Sequence, residues 1–308
     1  MRIPTVERKI YFYRADIGRD AGGRPLPFDP TPMLNTLEGL PFLIGSNGRY
    51  EEEPDGNVLC GIPSTGNPMN LRFCRIRRVG LPQLERQGEI RELDIDPDTG
   101  LLEATHVAFL GDNIVGIEYN HFGPRASWLG NYLHKKARND AGAVAFHPLL
   151  RSEIARQLEE LTEIRLFEFR VRPGYISVVR QASKSLADAL EANYGVIGDQ
   201  ESIQIVLRSS KSGRRPALQK LSAAIRYLLR RRDLNENAQQ FKVRGYRNDT
   251  GRVETIDLLS SYIVVTKAIR RISPRSRALN ADSVFREIHE AYDQVRDEID
   301  LATAIEYD

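Results

Sequence analysis

Residues 101–121 read LLEATHVAFLGDNIVGIEYNH and carry the clearest hairpin signal of the chain. Two runs rich in apolar and β-branched residues flank a short turn, GDN at 111–113. This pattern predicts antiparallel strands over Leu101–Leu110 and Ile114–His121.

Outward from this hairpin, the chain mixes strand and helix signals. Further strands are predicted at Val6–Ala15, Asn70–Val79, Ile164–Val171, Tyr175–Arg180, Ser202–Leu207, Gln240–Tyr246 and Gly251–Ile256. Helices are predicted at Pro32–Glu38, Ala126–Arg138, Leu149–Leu161, Ser183–Ala192 and Pro216–Arg231, with two antiparallel closing helices at Leu258–Ile272 and Ala281–Ile299. Residues 39–68 are rich in Gly and Pro and are predicted to be surface loop.

The predicted fold class is therefore α+β. We expect a β-rich N-terminal region at 1–140 and an α+β C-terminal region at 141–308, which ends in the two antiparallel helices. The boundary is placed between Arg138 and Pro148, where no flexible linker is evident, so a single continuous domain stays an alternative.

Composition excludes several classes of protein. Of 308 residues, 41% are hydrophobic and 28% are charged, which is ordinary for a folded chain and excludes disordered, collagen-like and disulfide-rich classes. The two cysteines, Cys60 and Cys74, are expected to be reduced thiols. No apolar leader and no apolar run of about 20 residues is found, so we expect a cytoplasmic protein that does not enter a membrane.

The net charge of +2 conceals two segments of opposite sign. From Ser202 to Arg232 there are nine basic residues and no acidic residue, whereas from Ala281 to Asp308 nine carboxylates face two arginines. Charge separation of this kind points to charged partners, or to packing of one segment near the other.

The basic segment predicts a nucleic-acid-binding surface, because phosphates that pair with cations release counterions. The predicted phosphate contacts in this segment are Arg208, Lys211, Arg214, Arg215, Lys220, Arg226 and Arg230. Arg125, which follows Gly123-Pro124 at the start of a predicted helix, is a further candidate. A solvated face, or a face that docks on acidic protein surface, is the alternative interpretation. DNA and RNA are both compatible with phosphate contacts.

A second cluster of polar residues surrounds the first hairpin. Carboxylates and imidazoles there could act at a nuclease metal ion, which would be Mg²⁺ or Mn²⁺. The candidate catalytic residues are Glu103, His106, Glu118 and His121, with His134 on the following helix. No P-loop, GxGxxG or GxSxG motif occurs, so an NTPase, a dinucleotide enzyme and a serine hydrolase are disfavoured, and apart from the nuclease alternative no cofactor is expected.

The closing helix carries an apolar seam with heptad spacing. Its members are Phe285, Ile288, Tyr292, Val295 and Ile299. The seam predicts either packing on the protein's own core or a contact with a protein partner or a second copy of the chain.

Three stretches resemble known sequences: residues 100–109, residues 115–125 and residues 256–259. They look like uncharacterised bacterial proteins of similar size from phage-defence and mobile-element neighbourhoods. The resemblance implies a nucleic-acid-facing role in immunity against phage and transfers no catalytic residue. The leading hypothesis is a nucleic-acid-binding sensor or subunit of such a system, with a metal-dependent nuclease and a protein-interaction subunit as alternatives.

Overall fold

The protein has an α+β fold in the computed structural model. The structure describes residues 4–22, 24–64, 67–137, 144–197, 201–208, 219–229, 231, 234–247 and 251–305. Contacts divide the chain into two compact units. Unit 1 comprises residues 1–146 and 264–296, and unit 2 comprises residues 147–263 and 297–308.

Fourteen strands are defined within the described ranges. They are β1 Thr5–Asp16, β2 Tyr50–Glu52, β3 Val58–Ser64, β4 Asn67–Arg77, β5 Leu84–Arg86, β6 Glu89–Arg91, β7 Leu101–Gly111, β8 Ile114–Glu118, β9 Ala145–Pro148, β10 Leu161–Val171, β11 Ile203–Arg208, β12 Ala238–Arg247, β13 Val253–Asp257 and β14 Val264–Arg270.

Eight α-helices accompany these strands in the same ranges. They are α1 Thr31–Gly39, α2 Ala126–Lys136, α3 Ser152–Glu160, α4 Ile176–Ala182, α5 Lys184–Ile197, α6 Gln219–Leu229, α7 Leu234–Asn237 and α8 Ala281–Ile305. No helix in the described ranges is both long and apolar enough to cross a membrane.

The predicted first hairpin is confirmed as β7 and β8. Its turn places Asp112 and Asn113 at φ values of 47° and 63°. Short polar side chains tolerate this left-handed conformation better than other non-glycine residues do, which explains why the turn forms here.

Three predictions of secondary structure are wrong. The expected closing helix over Leu258–Ile272 is a short 3-10 turn followed by β14, so the chain does not end in two antiparallel helices. The β-branched run at 263–266 favours an extended chain over a helix. The expected strand at Tyr175–Arg180 is largely α4, and the expected loop at 39–68 contains β2 and β3.

Unit 1 is built on an antiparallel sheet with the strand order β14-β1-β8-β7-β4-β3-β2 and with β9 also paired to β1. One face of this sheet packs against α1 and α2. That core includes Leu34, Leu37, Leu71, Phe73, Val107, Phe109, Leu129 and Tyr132.

The opposite face of the same sheet packs against the first turns of α8. Ile288 of α8 lies over Gly116 of β8, and the rings of Tyr292 and Phe12 have centroids 6.3 Å apart. In the apolar seam of α8, Phe285, Ile288, Tyr292 and Ile299 are buried within the chain itself. Because the seam is used within the chain, the predicted contact of this helix with a protein partner would have to involve its acidic outer face, and it stays a prediction.

Unit 2 contains an antiparallel sheet with the order β11-β10-β12-β13. Its core includes three fully buried rings, Phe167, Phe169 and Phe241, whose centroids lie 4.9 to 6.0 Å apart. The buried Arg247 pairs with Glu160 at 2.6 Å and with Glu254 at 2.8 Å, which compensates its charge.

A substitution at Gly116 tests the packing of α8 on the sheet. A Cβ at this position would lie 2.5 Å from Ile288 Cγ2, so Gly116→Ala should lower the free energy of unfolding by about 1–3 kcal/mol. Urea denaturation measures this change. Gly39→Ala is the control, because its Cβ would meet no atom within 4 Å. Equal stability of the two variants would contradict this packing.

Cys60 and Cys74 oppose each other on β3 and β4 and are buried and free. Burial raises the pKa of Cys60 to about 11 and that of Cys74 to about 12. Since the thiolate is the nucleophile, we expect no alkylation by iodoacetamide at about pH 8 in the native protein and reaction of both thiols in urea. Mass spectrometry measures the labelling. Rapid labelling of either thiol in the folded protein would contradict the assignment of both cysteines as buried thiols.

Candidate functional site

Unit 1 contains a cleft of about 770 Å³. Its walls come from β1, β4 and β7, from residues 119–125 after β8 (the post-hairpin segment), and from residues 271–280 between β14 and α8 (the return loop). Its polar lining consists of Arg8, Arg72, Glu103, His106, Asn120, Arg271, Ser276, Arg277 and Asn280. Four of these polar residues are arginines, and Glu103 is the one carboxylate among them.

The sheet register places the central side chains in one row. Arg72 of β4 is directly opposite His106 of β7, and the β7–β8 register puts Glu118 beside His106. Side chains directly opposite each other in an antiparallel sheet share a face. The row therefore belongs to the face that α8 covers, where the edge of the His106 ring meets Phe285 with centroids 5.4 Å apart.

Glu118 is fully buried and joins two of the cleft residues. Arg8 Nε donates a hydrogen bond to Glu118 Oε1 at 3.0 Å, and His106 Nδ1 lies 3.0 Å from Glu118 Oε2. The carboxylate accepts from both groups when His106 carries its proton on Nδ1. A buried carboxylate with two such partners fixes the positions of the arginine and the imidazole.

The return loop brings two more arginines to the cleft. It is closed by a hydrogen bond from Ile272 N to Ala278 O at 2.9 Å, and Arg271 N donates to Pro4 O at 3.1 Å. Arg277 forms an ion pair with Glu103. These bonds position the loop residues without using the guanidinium group of Arg271.

Charge in the cleft is not balanced. Arg8 and Arg277 each have a carboxylate partner, whereas Arg72 and Arg271 form no ion pair with any residue that the structure describes. The Nε atom of Arg271 is buried and lacks a hydrogen-bond partner within the described ranges. The cleft therefore offers two guanidinium groups to an anionic ligand.

The candidate catalytic residues are only partly brought together. His106 and Glu118 are in contact, and Glu103 lies in the same cleft with Arg277. The His121 side chain is exposed and packs edge-on against Phe122. The exposed His134 belongs to α2, which covers the other face of the sheet. In the described part of the chain, no group of three His, Cys, Asp or Glu residues is arranged to hold a metal ion.

Most of the predicted phosphate contacts lie outside the described residues. This applies to Lys211, Arg214, Arg215 and Arg230, and to the side chain of Lys220. Arg208 on β11 and Arg226 on α6 are exposed in unit 2, so their predicted role stays open to test.

The guanidinium group of Arg125 forms hydrogen bonds within the protein. It donates to the carbonyl oxygens of Asn120 at 3.4 Å and His121 at 3.2 Å, and it lies 5.5 Å from the ring centroid of Tyr119. Arg125 therefore stabilises the post-hairpin segment.

Sequence reasoning missed the four arginines of the cleft. Arg8 and Arg271 come together only because β1 pairs with β14, two segments at opposite ends of the chain. On β4, Arg72 alternates with apolar residues, and nothing local indicates that His106 lies opposite it.

Comparisons with known proteins give no family for this chain: no protein-family model matches it, and no curated protein matches it significantly. The geometry of the cleft is therefore the main basis for a functional proposal.

Replacing Glu118 tests the buried centre of the site. Glu118→Gln leaves Arg8 and His106 without their carboxylate, so we expect the free energy of unfolding to fall by about 3 kcal/mol. Urea denaturation measures this. Glu7→Gln, on the same sheet but exposed, should change stability by less than about 0.5 kcal/mol. Comparable values for the two variants would contradict a structural role of the buried carboxylate.

Proposed function

We propose that this protein binds nucleic acid through phosphate contacts in the cleft of unit 1. The observation that carries the proposal is the presence of Arg72 and Arg271 in a concave site, with no acidic partner among the described residues. A guanidinium group presents a planar fork of donors that matches the oxygens of a phosphate.

The balance of charge favours a polyanion over a neutral ligand. Within the cleft and directly behind it, four arginines face two carboxylates, Glu103 and Glu118, which leaves an excess of two positive charges. Walls of low dielectric strengthen the attraction for an anion. Phosphate contacts of this type position a nucleic acid without reading its sequence.

The basic segment at 202–232 and the resemblance to phage-defence proteins support the same class of ligand. On this proposal the protein is a nucleic-acid-binding sensor or subunit of a bacterial anti-phage system. A metal-dependent nuclease and a protein-docking subunit are the alternatives that the binding experiment separates.

The test is binding of a fluorescein-labelled oligonucleotide across a series of salt concentrations. We expect wild type to bind with a steep salt dependence. In Arg72→Gln/Arg271→Gln, affinity at low salt should fall at least about tenfold, and the slope of log K against log salt should decrease by about 1 for each arginine.

The matched control is Arg24→Gln/Arg86→Gln, which removes two exposed arginines of unit 1 outside the cleft. Its affinity and slope should stay close to those of wild type. Equal losses in both double variants would indicate a general effect of net charge and overturn the cleft as the site. Cleavage of the oligonucleotide on addition of Mg²⁺ or Mn²⁺ would replace the binding function with the nuclease alternative.

A further inference from the structure

One exposed aromatic side chain stands within the arginine-lined cleft. Phe122 is 53% exposed, and it lines the cleft together with Arg72 and Arg271. The guanidinium carbon of Arg277 lies 4.2 Å from the centroid of its ring. A single exposed Phe is common on protein surfaces. This ring, however, shares a cavity with two arginines that have no acidic partner among the described residues, so it presents an apolar face beside a site for anions.

The backbone that carries this ring is held in place before any ligand binds. Phe122 N donates to Asn120 Oδ1 at 3.2 Å, and Asn120 Nδ2 donates to Ala104 O of β7 at 2.8 Å. Next in sequence, the buried Gly123 packs so closely that a Cβ would lie 2.5 Å from Thr105 Oγ1. Because this backbone is already ordered, a ligand that stacks on the ring does not have to order the segment as well.

The same segment carries a second exposed ring, that of Tyr119, which contacts Tyr11 and does not line the cleft. Tyr119 is 37% exposed, and the guanidinium carbon of Arg125 lies 5.5 Å from the centroid of its ring. Aromatic rings combined with arginines are the usual means by which proteins hold unpaired bases, since every base has a π-face that can stack.

A duplex does not offer such a face, because its bases are stacked on one another and paired. A single strand can place a base on Phe122 while its flanking phosphates reach Arg72 and Arg271. Recognition of unpaired nucleotides by aromatic side chains follows this scheme.

We propose that the cleft selects single-stranded nucleic acid and that Phe122 is the stacking platform for an unpaired base. This inference rests on the proposed phosphate-binding function of the same cleft and adds the class of nucleic acid that it takes. Phe122 supplies stacking, and Arg72 and Arg271 supply the phosphate contacts.

The test compares three fluorescein-labelled probes: a single-stranded oligonucleotide, the matching duplex, and a single strand with abasic sites. We expect wild type to bind the single strand more tightly than the duplex or the abasic strand. Phe122→Ala should weaken binding of the single strand by about five- to 150-fold, which corresponds to the loss of one stacked base. Its salt slope should stay unchanged because no phosphate contact is lost.

Two further variants isolate the stacking. Phe122→Trp should retain wild-type binding, since indole stacks at least as well as phenyl. Phe42→Ala is the matched control, because Phe42 is 51% exposed with Arg49 4.3 Å from its ring centroid but does not line the cleft. Its affinity should equal that of wild type.

Failure of this inference is distinguishable from failure of the phosphate-binding function. Equal affinity for duplex and single strand, or a Phe122→Ala variant that binds as wild type does, would overturn single-strand selection while the arginine variants still lose binding. Absence of binding to all three probes at low salt would overturn both proposals.

Discussion

The buried carboxylate of Glu118 is the interaction on which the cleft depends. It sits on β8, between β1 and β7, and holds Arg8 from one neighbour and His106 from the other. A buried charge is stable only when its partners stay in place, so this contact fixes the relative positions of three strands. Packing of Phe285 against His106 then links the beginning of α8 to the same centre.

Around this centre the cleft combines two kinds of chemistry. Carboxylates neutralise the charges of Arg8 and Arg277, whereas Arg72 and Arg271 have no acidic partner in the part of the chain that the structure describes. Phe122 adds an apolar face beside them. A site that pairs some arginines internally can orient the others without accumulating unfavourable repulsion among them.

Local signals made part of this fold predictable. The hairpin of β7 and β8 follows from strand alternation and a GDN turn, and the apolar seam of α8 follows from its 3–4 spacing. The segment that contains β14 also fits a helical spacing, through Tyr262, Ile263 and Thr266, and only the long-range pairing of β14 with β1 decides between strand and helix.

The two residues at the centre of the candidate site could be predicted from the sequence, but the arginines that the return loop contributes could not. His106 and Glu118 are close in sequence, on the two strands of one hairpin, so their proximity could be inferred. Arg271 and Arg277 reach the cleft through the pairing of β14 with β1, which no local pattern encodes.

The pairing of β14 with β1 also has a consequence for synthesis on the ribosome. Thr5–Tyr11 is made early, but its partner Val264–Arg270 emerges only after the segment of unit 2 that lies between them in the chain has been translated. Until then this part of β1 is an open sheet edge, and Glu7, Arg8 and Lys9 place charges along it that discourage pairing with other nascent chains. Completion of unit 1 therefore requires a pairing of high contact order, between strands that residues 147–263 of unit 2 separate in the chain.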